Sequence, residues 1–158
     1  MFVTKKITKN KMIAAAIILV LLVFLIFRFT ACGFTKNTAD SPIIGTYILI
    51  ANDNQSCVDF LTQFDFKVAE NPVEVTNVRI PAEFNDTFIG YNDLQKAQGL
   101  DLEPYKGKEC ERRSYKILNY NSDDEVVANL LIYNEMVIGG DVSAMAQDGF
   151  MTTFDDKR

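Results

Sequence analysis

Residues 12–27, MIAAAIILVLLVFLIF, are an uncharged apolar run of 16 residues, and this run decides the compartment in which the rest of the chain folds. Lys5, Lys6, Lys9 and Lys11 precede it and Arg28 follows it. As a helix rising ~1.5 Å per residue it spans roughly 24 Å, a little short of a hydrocarbon core of about 30 Å. Continuing the helix through Phe34 supplies the missing turns, because Arg28 can snorkel to the headgroups and Thr30 can bond back to its own helix. An uncleaved single-pass anchor over residues 12–34 is therefore the expected reading. Two others stay open: a cleaved export signal, and lipidation of Cys32, since Phe29-Thr30-Ala31-Cys32-Gly33 is similar to a bacterial lipobox. A buried core helix is not expected, because the run has no polar face.

Charge sets the orientation. Four lysines before the run, against Arg28 and Lys36 after it, keep residues 1–11 in the cytoplasm as a basic tail and put the C-terminal part outside the cell membrane. All 21 Asp and Glu lie from Asp40 onward, and only 11 Lys and Arg follow Ala31, so the outer part carries a charge near −10. Such a field repels nucleic acid, which is not an expected partner. The lipid bilayer, through residues 12–34, is one. Residues 35–45 mix Thr, Asn, Asp, Ser, Pro and Gly without apolar periodicity and read as a linker; residues 46–158 suffice for one compact domain.

Within that domain a short β-like run at residues 46–51 leads to Asn52-Asp53-Asn54, any of which can cap a helix. Cys57, Phe60, Leu61 and Phe64 then fall at i, i+3, i+4 and i+7, one apolar helix face. A second strand runs through Val73, Val75, Val78 and Ile80, with a change of phase near Asn77 that suggests a bulge or bend. A second helix is framed by Asn85 as N-cap, by a Phe84–Ile89 hydrophobic staple and by Gly99 as a left-handed closing residue onto which Leu100 folds. Its Phe88, Tyr91 and Leu94 read as core contacts more than as an aromatic binding stripe, and Gly90 inside it costs about 1 kcal/mol relative to Ala unless close packing needs it. Three β-like runs follow, at residues 110–120, 126–133 and 136–142, the last two separated by Asn134-Glu135 at hairpin spacing. The expected fold class is α+β: an N-terminal membrane helix, then one small domain with two helices on one face of a mainly antiparallel sheet of about five strands.

Cys57 and Cys110 are the natural disulfide pair of an exported chain, worth up to about 4 kcal/mol through loop closure; two buried free thiols are the alternative. The chain has no His, which removes the commonest general base and zinc ligand, and the cysteine spacing is no metal knuckle. No metal, cofactor or catalytic residue is expected. Asp123-Asp124-Glu125 lacks the alternating ligands and central Gly of a calcium loop and reads as a solvated turn. Gly139-Gly140-Asp141 shares three letters with a cyclic-dinucleotide cyclase signature, but Val142 and Ser143 break it, and a glycine bulge at a strand end is expected. Against the acidic background, Lys106, Lys108, Arg112, Arg113 and Lys116 form a basic stretch. They read as solvated edge charges, with Arg112 and Lys116 on one strand face as candidates for contacting an acidic partner or anionic polymer.

Several strings recur together: Pro72-Val73-Glu74; Tyr91-Asn92, Leu94-Gln95, Gln98-Gly99, Asp101-Leu102, Tyr105 and Gly107; then Asn119-Tyr120, Ala128-Asn129-Leu130, Gly139-Gly140-Asp141 and Gly149-Phe150. In these the chain resembles the domain-of-unknown-function family DUF4830 of Clostridia and related Firmicutes, over roughly residues 54–154. The resemblance implies a Gram-positive envelope protein behind an N-terminal anchor or signal, and no activity. Asp65 stands where the family has Gly, which makes a left-handed turn there costlier, and Cys57 and Cys110 replace Arg-like and Val-like positions.

The function expected from these features is a non-enzymatic, membrane-anchored extracytoplasmic module that binds an envelope protein or polymer. Gln95, Gln98, Asp101 and Tyr105, polar and exposed-looking, join Arg112 and Lys116 as candidate contacts. The rivals are a carboxylate-dependent hydrolase of envelope glycans and a structural homo-oligomer.

Overall fold

A computed structural model describes residues 37–146 and 149–156 of the chain. The candidate anchor at residues 12–34 and Cys32 lie outside the described residues. Among those described, no helix is long and apolar enough to cross a membrane.

The domain opens with a hairpin of β1 (Thr38–Ser41) and β2 (Gly45–Ile48), paired from Thr38↔Ile48 to Ser41↔Gly45 as a separate two-stranded sheet. Residues 38–45, expected as linker, thus belong to the folded unit. Composition misleads there because Ala39 and Tyr47, alternating inward, supply the apolar contacts of a segment otherwise written in turn residues.

Helix α1 (Asn54–Thr62) starts at Asp53, whose carboxylate accepts from Ser56 N–H at 2.7 Å while Ser56 Oγ accepts from Asp53 N–H at 2.9 Å, a reciprocal capping box. It closes with Phe66 N–H on Leu61 C=O and Asp65 N–H on Thr62 C=O, which puts Asp65 at φ +59°. The left-handed turn is therefore made by an aspartate. Cys57, Phe60, Leu61 and Phe64 are all buried, as their spacing predicts.

Five further strands form one antiparallel sheet in chain order: β3 (Glu74–Arg79), β4 (Glu109–Lys116), β5 (Val126–Tyr133), β6 (Met136–Ala144) and β7 (Met151–Thr152). The bulge expected near Asn77 is not there, since β3 pairs with β4 without interruption from Glu74↔Ser114 to Arg79↔Glu109. The glycine bulge expected at Gly139-Gly140 is present beside those residues, though inside β6 and not at its end: Leu131 faces Gly139 and Ile132 faces Val137, leaving Ile138 as the extra residue. Asn134 and Glu135 turn β5 into β6 at φ +49° and +64°, a two-residue turn of the twist-matched kind made without glycine.

Helix α2 (Asp86–Ala97) takes Asn85 as N-cap, its Oδ1 accepting from Phe88 N–H at 2.9 Å, and ends at Gly99, φ +82°, with Leu100 N–H on Gln95 C=O. Gly99 also admits the backbone of β1, since a Cβ there would stand 2.3 Å from Asp40 O. The expected staple differs: Ile89 is exposed, and Phe84 packs on Phe88 with ring centroids 4.6 Å apart. A 3₁₀ turn (Glu103–Tyr105) leads back to β4.

The two helices sit on opposite faces of the sheet, not on one. Tyr115, Ile117, Val126, Ala128, Leu130, Ile132 and Val142 alternate inward to one core with Phe60 and Leu61 of α1 and Phe64 just beyond it. The intervening positions, with Cys110, Leu131 and Ile138, join Leu102 and the Phe84, Phe88 and Tyr91 side chains around α2 in a second, smaller cluster. Cys57 lies in the first core and Cys110 in the second; both are free buried thiols, so the expected disulfide is not formed. The sheet between them is the reason, because residues 110 and 113 of one strand point to opposite faces and Arg113 is the one that reaches Cys57 Sγ, at 3.4 Å.

Candidate functional site

Helix α2 is anchored to the edge of β6 by two glutamines. Gly140 N–H donates to Gln95 Oε1 at 2.8 Å, Gln98 Nε2 donates to Gly140 C=O at 2.9 Å and to Gln95 Oε1 at 2.9 Å, and Gln98 Oε1 accepts from Phe154 N–H at 3.0 Å. β7 reaches only Val142 and Ser143, so at Gly140 the side-chain amides take the place of a neighbouring strand and satisfy backbone groups that would otherwise be buried unpaired. Gln95 and Gln98 are fully buried and are thus no contacts for a partner. Polarity suggests exposure only until a backbone edge needs pairing.

This attachment holds α2 over Leu102, Cys110 and Ile138 and leaves the neighbouring stretch of the same sheet face uncovered. Between them runs an open groove of about 820 Å³. Phe88, Gly90, Tyr91 and Leu94 form its wall along α2, while Val78, Arg112, Asn129, Leu131, Asp141, Ser143 and Met151 form a floor drawn from all five strands. The alternation of the strands explains the floor: Arg112, Asn129, Asp141 and Ser143 share one face because 112 pairs with 131, and 129 with 141.

The polar part of the floor is a connected network. Ser114 Oγ donates to Asn129 Oδ1 at 2.7 Å; Asn129 Nδ2 donates to Asp141 Oδ2 at 2.9 Å and to Ser143 Oγ at 3.0 Å; Tyr91 O–H donates to Asp141 Oδ1 at 3.0 Å. Asp141 is 3% exposed. Burial pushes its carboxyl above the usual carboxylate range, against the hydrogen bonds from Asn129, Tyr91 and Ser143 and the charge of Arg112, which pull it down. Burial, and then Asp141, hold the Tyr91 phenol well above its ordinary value, so it remains a donor at neutral pH. Arg112 gives one guanidinium nitrogen to Glu74 at 2.6 Å, while its Nε is buried with no partner among the described residues. A groove that pairs a desolvated carboxyl with an unused guanidinium donor can orient a polar ligand against an apolar wall. Asp141 is the one carboxyl among the residues lining it.

Of the residues expected as partner contacts, Arg112 alone lines this groove. Asp101 accepts from Asn92 Nδ2 and Glu103 N–H, both at 3.0 Å. Burial raises its carboxyl but is outweighed by these bonds and the charges of Lys96 and Lys106, and the net shift is downward. Tyr105 packs edge-on against Tyr133 at 5.6 Å, and Lys116 pairs with Glu125 at 2.9 Å on the surface. The groove residues that the sequence did not mark as site candidates are Asn129, Asp141 and Ser143. The available signal was their position: Asn129 interrupts VVANLLIY and Asp141 interrupts MVIGGDV, polar groups in strands otherwise written for burial. Among the described residues no group of three His, Cys, Asp or Glu is placed to hold a metal ion.

A family model described as Domain of unknown function (DUF4830) matches residues 60–142, from within α1 to the residue after Asp141. The matched span holds α2 and most of the groove; the β1–β2 hairpin and β7 lie outside it. No curated protein and no solved structure matches the chain.

Proposed function

The chain belongs to the family described as Domain of unknown function (DUF4830), and from that premise we propose that it is a membrane-tethered, extracytoplasmic binding module of a Gram-positive cell envelope whose ligand lies in the groove beside α2. The observation that carries this reading is the floor of that groove. Its buried carboxyl and its guanidinium donor are desolvated on a sheet face where apolar residues would stabilise the fold more, so their retention is accounted for by a ligand. The single carboxyl in the groove favours binding over glycoside hydrolysis, which uses two. The apolar run at residues 12–27 with its basic N-terminal flank supports the tether and the outward orientation.

The reading is tested in living cells of a Gram-positive host carrying the full-length chain with a photo-reactive amino acid at Thr87, on the rim of the groove, or at Gln55, exposed on α1. A discrete adduct at position 87 and none at position 55 is the expected result. Adducts at both positions, or at neither, overturn the groove as the site. Protease added outside intact cells should remove the domain, and protection from it would overturn the orientation.

A further inference from the structure

We propose that the outer edge of β3 is a self-association surface, on which β3 of a second copy of this chain pairs antiparallel about a two-fold axis at Asn77 and joins the two sheets into one. This goes beyond ligand binding in the groove and does not depend on it. The hydrogen-bond phase of β3 leaves its edge free. Ile80 N–H bonds to Lys108 C=O at 2.9 Å, so Glu74, Thr76 and Val78 aim their backbone groups at β4, while Val75, Asn77 and Arg79 aim theirs away from it. These outward N–H and C=O groups have no partner among the described residues, because β3 ends the sheet. Asn77 and Arg79 are exposed, and Val73 and Val75, each more than half exposed, add apolar surface to the edge.

Elsewhere the domain closes strand edges with side-chain amides. Gln95 and Gln98 cover β6 at Gly140. Gln63 does the same for β2, its Oε1 accepting from Ile48 N–H at 2.8 Å and its Nε2 donating to Ile48 C=O at 3.0 Å. β3 has no such cover, and it carries neither a bulge nor a proline to discourage pairing.

Any extended chain could use the backbone groups; the side chains single out a second copy, because the edge matches itself. With Asn77 on the axis, Asn77 faces its own counterpart, Val75 faces Arg79 and Thr76 faces Val78, so every outward backbone group of these residues is paired. No like charges meet, since Glu74 falls opposite Ile80 and the aliphatic stem of Arg79 lies on Val75. An axis at Glu74 or at Arg79 would instead set like charges face to face, so charge selects the Asn77 register.

Two measurements on the full-length chain test the pairing. In membranes, Asn77→Cys in a Cys32→Ser background should give a homodimer with a short bis-maleimide, because paired residues stand about 5.5 Å apart at Cα, and Gln55→Cys on α1 should give none. In neutral-lipid liposomes, energy transfer between copies labelled at a C-terminal tag reads the association itself. Asn77→Lys and Asn77→Asp, at an exposed position, should each leave the thermal midpoint in place and weaken association about fivefold or more, since each sets like charges on the axis. Mixing the two variants should restore it. No homodimer through position 77, or association that the two charge variants leave unchanged, overturns the proposal. A loss that mixing fails to restore overturns the two-fold at Asn77, and an adduct at position 77 to a different protein overturns the second copy as the occupant.

Discussion

The two faces of the sheet are built from the same strands and do opposite things. On the α1 face, Tyr47, Phe60, Phe64 and Phe154 pack ring against ring with centroids 5.1 to 5.9 Å apart. On the α2 face the helix is held by amides, a carboxyl is buried, and part of the strand surface is left open. Burial of apolar area carries stability wherever it occurs, whereas a desolvated polar group costs free energy unless its partners are in place. The first face therefore carries most of the domain's apolar packing, and the second gives up part of that stabilisation around a buried carboxyl and an open groove.

One glycine sharpens this contrast at its largest. A Cβ on Gly140 would stand 2.2 Å from Asn129 O and 2.5 Å from the Phe154 ring, in the closed core. Gly140→Ala should therefore cost at least about 3 kcal/mol, read as a lowered urea midpoint or as failure to fold. Truncating a ring on each face comes next. Phe60→Ala should lose about 3–5 kcal/mol, and Phe88→Ala, half-buried at the groove, about 1 kcal/mol. Equal losses in thermal denaturation would break the comparison.

Asp141 gives the contrast a pH signature. Its carboxyl is held above the usual range in the folded state, so the stability it contributes is fully present below the unfolded value and is lost as pH rises through the raised folded one. Asp141→Asn removes that contribution and also faces Asn129 Nδ2 with a second amide. The wild type should gain on the variant as the pH of urea titrations is lowered from neutral towards the carboxylate range; a gap that narrows instead would contradict a buried, disfavoured carboxylate. At the small end, Gly90→Ala should stabilise by about 0.5–1 kcal/mol, since helix propensity improves and the methyl meets open space. Any destabilisation would mean that the groove is closed by something packed on α2.

Much of the local structure was legible in the sequence. The Cys57, Phe60, Leu61, Phe64 stripe, the cap at Asn85, the left-handed Gly99 and the two-residue turn at Asn134-Glu135 were each readable because they depend on a few consecutive residues. Most of the misreadings are non-local. Gln95 and Gln98 looked exposed because they are polar, yet they pair the backbone of a strand more than 40 residues away. The change of phase near Asn77 brings no bulge, because β3 pairs with β4 along its whole length, whereas the bulge beside Gly139 and Gly140 in β6 was readable from the glycines themselves. The site itself was visible only as two polar residues in apolar strands, because alternation says that Asn129 and Asp141 share a face and not whether anything covers it.

By itself, then, the sequence determined the two helices and the order of the strands between and after them apart from β1 and β7, most of the caps and turns, the apolar N-terminal run and the acidic charge of the residues beyond that run, since each is a property of neighbouring residues or of composition. The tertiary structure alone decided that the helices take opposite faces, that Cys57 and Cys110 are kept apart, and that Asp141 is buried beside an open groove. Each depends on which surfaces meet. That choice is made by the packing free energy of the whole sheet, because a strand written for burial on both faces leaves unspecified which helix covers which face.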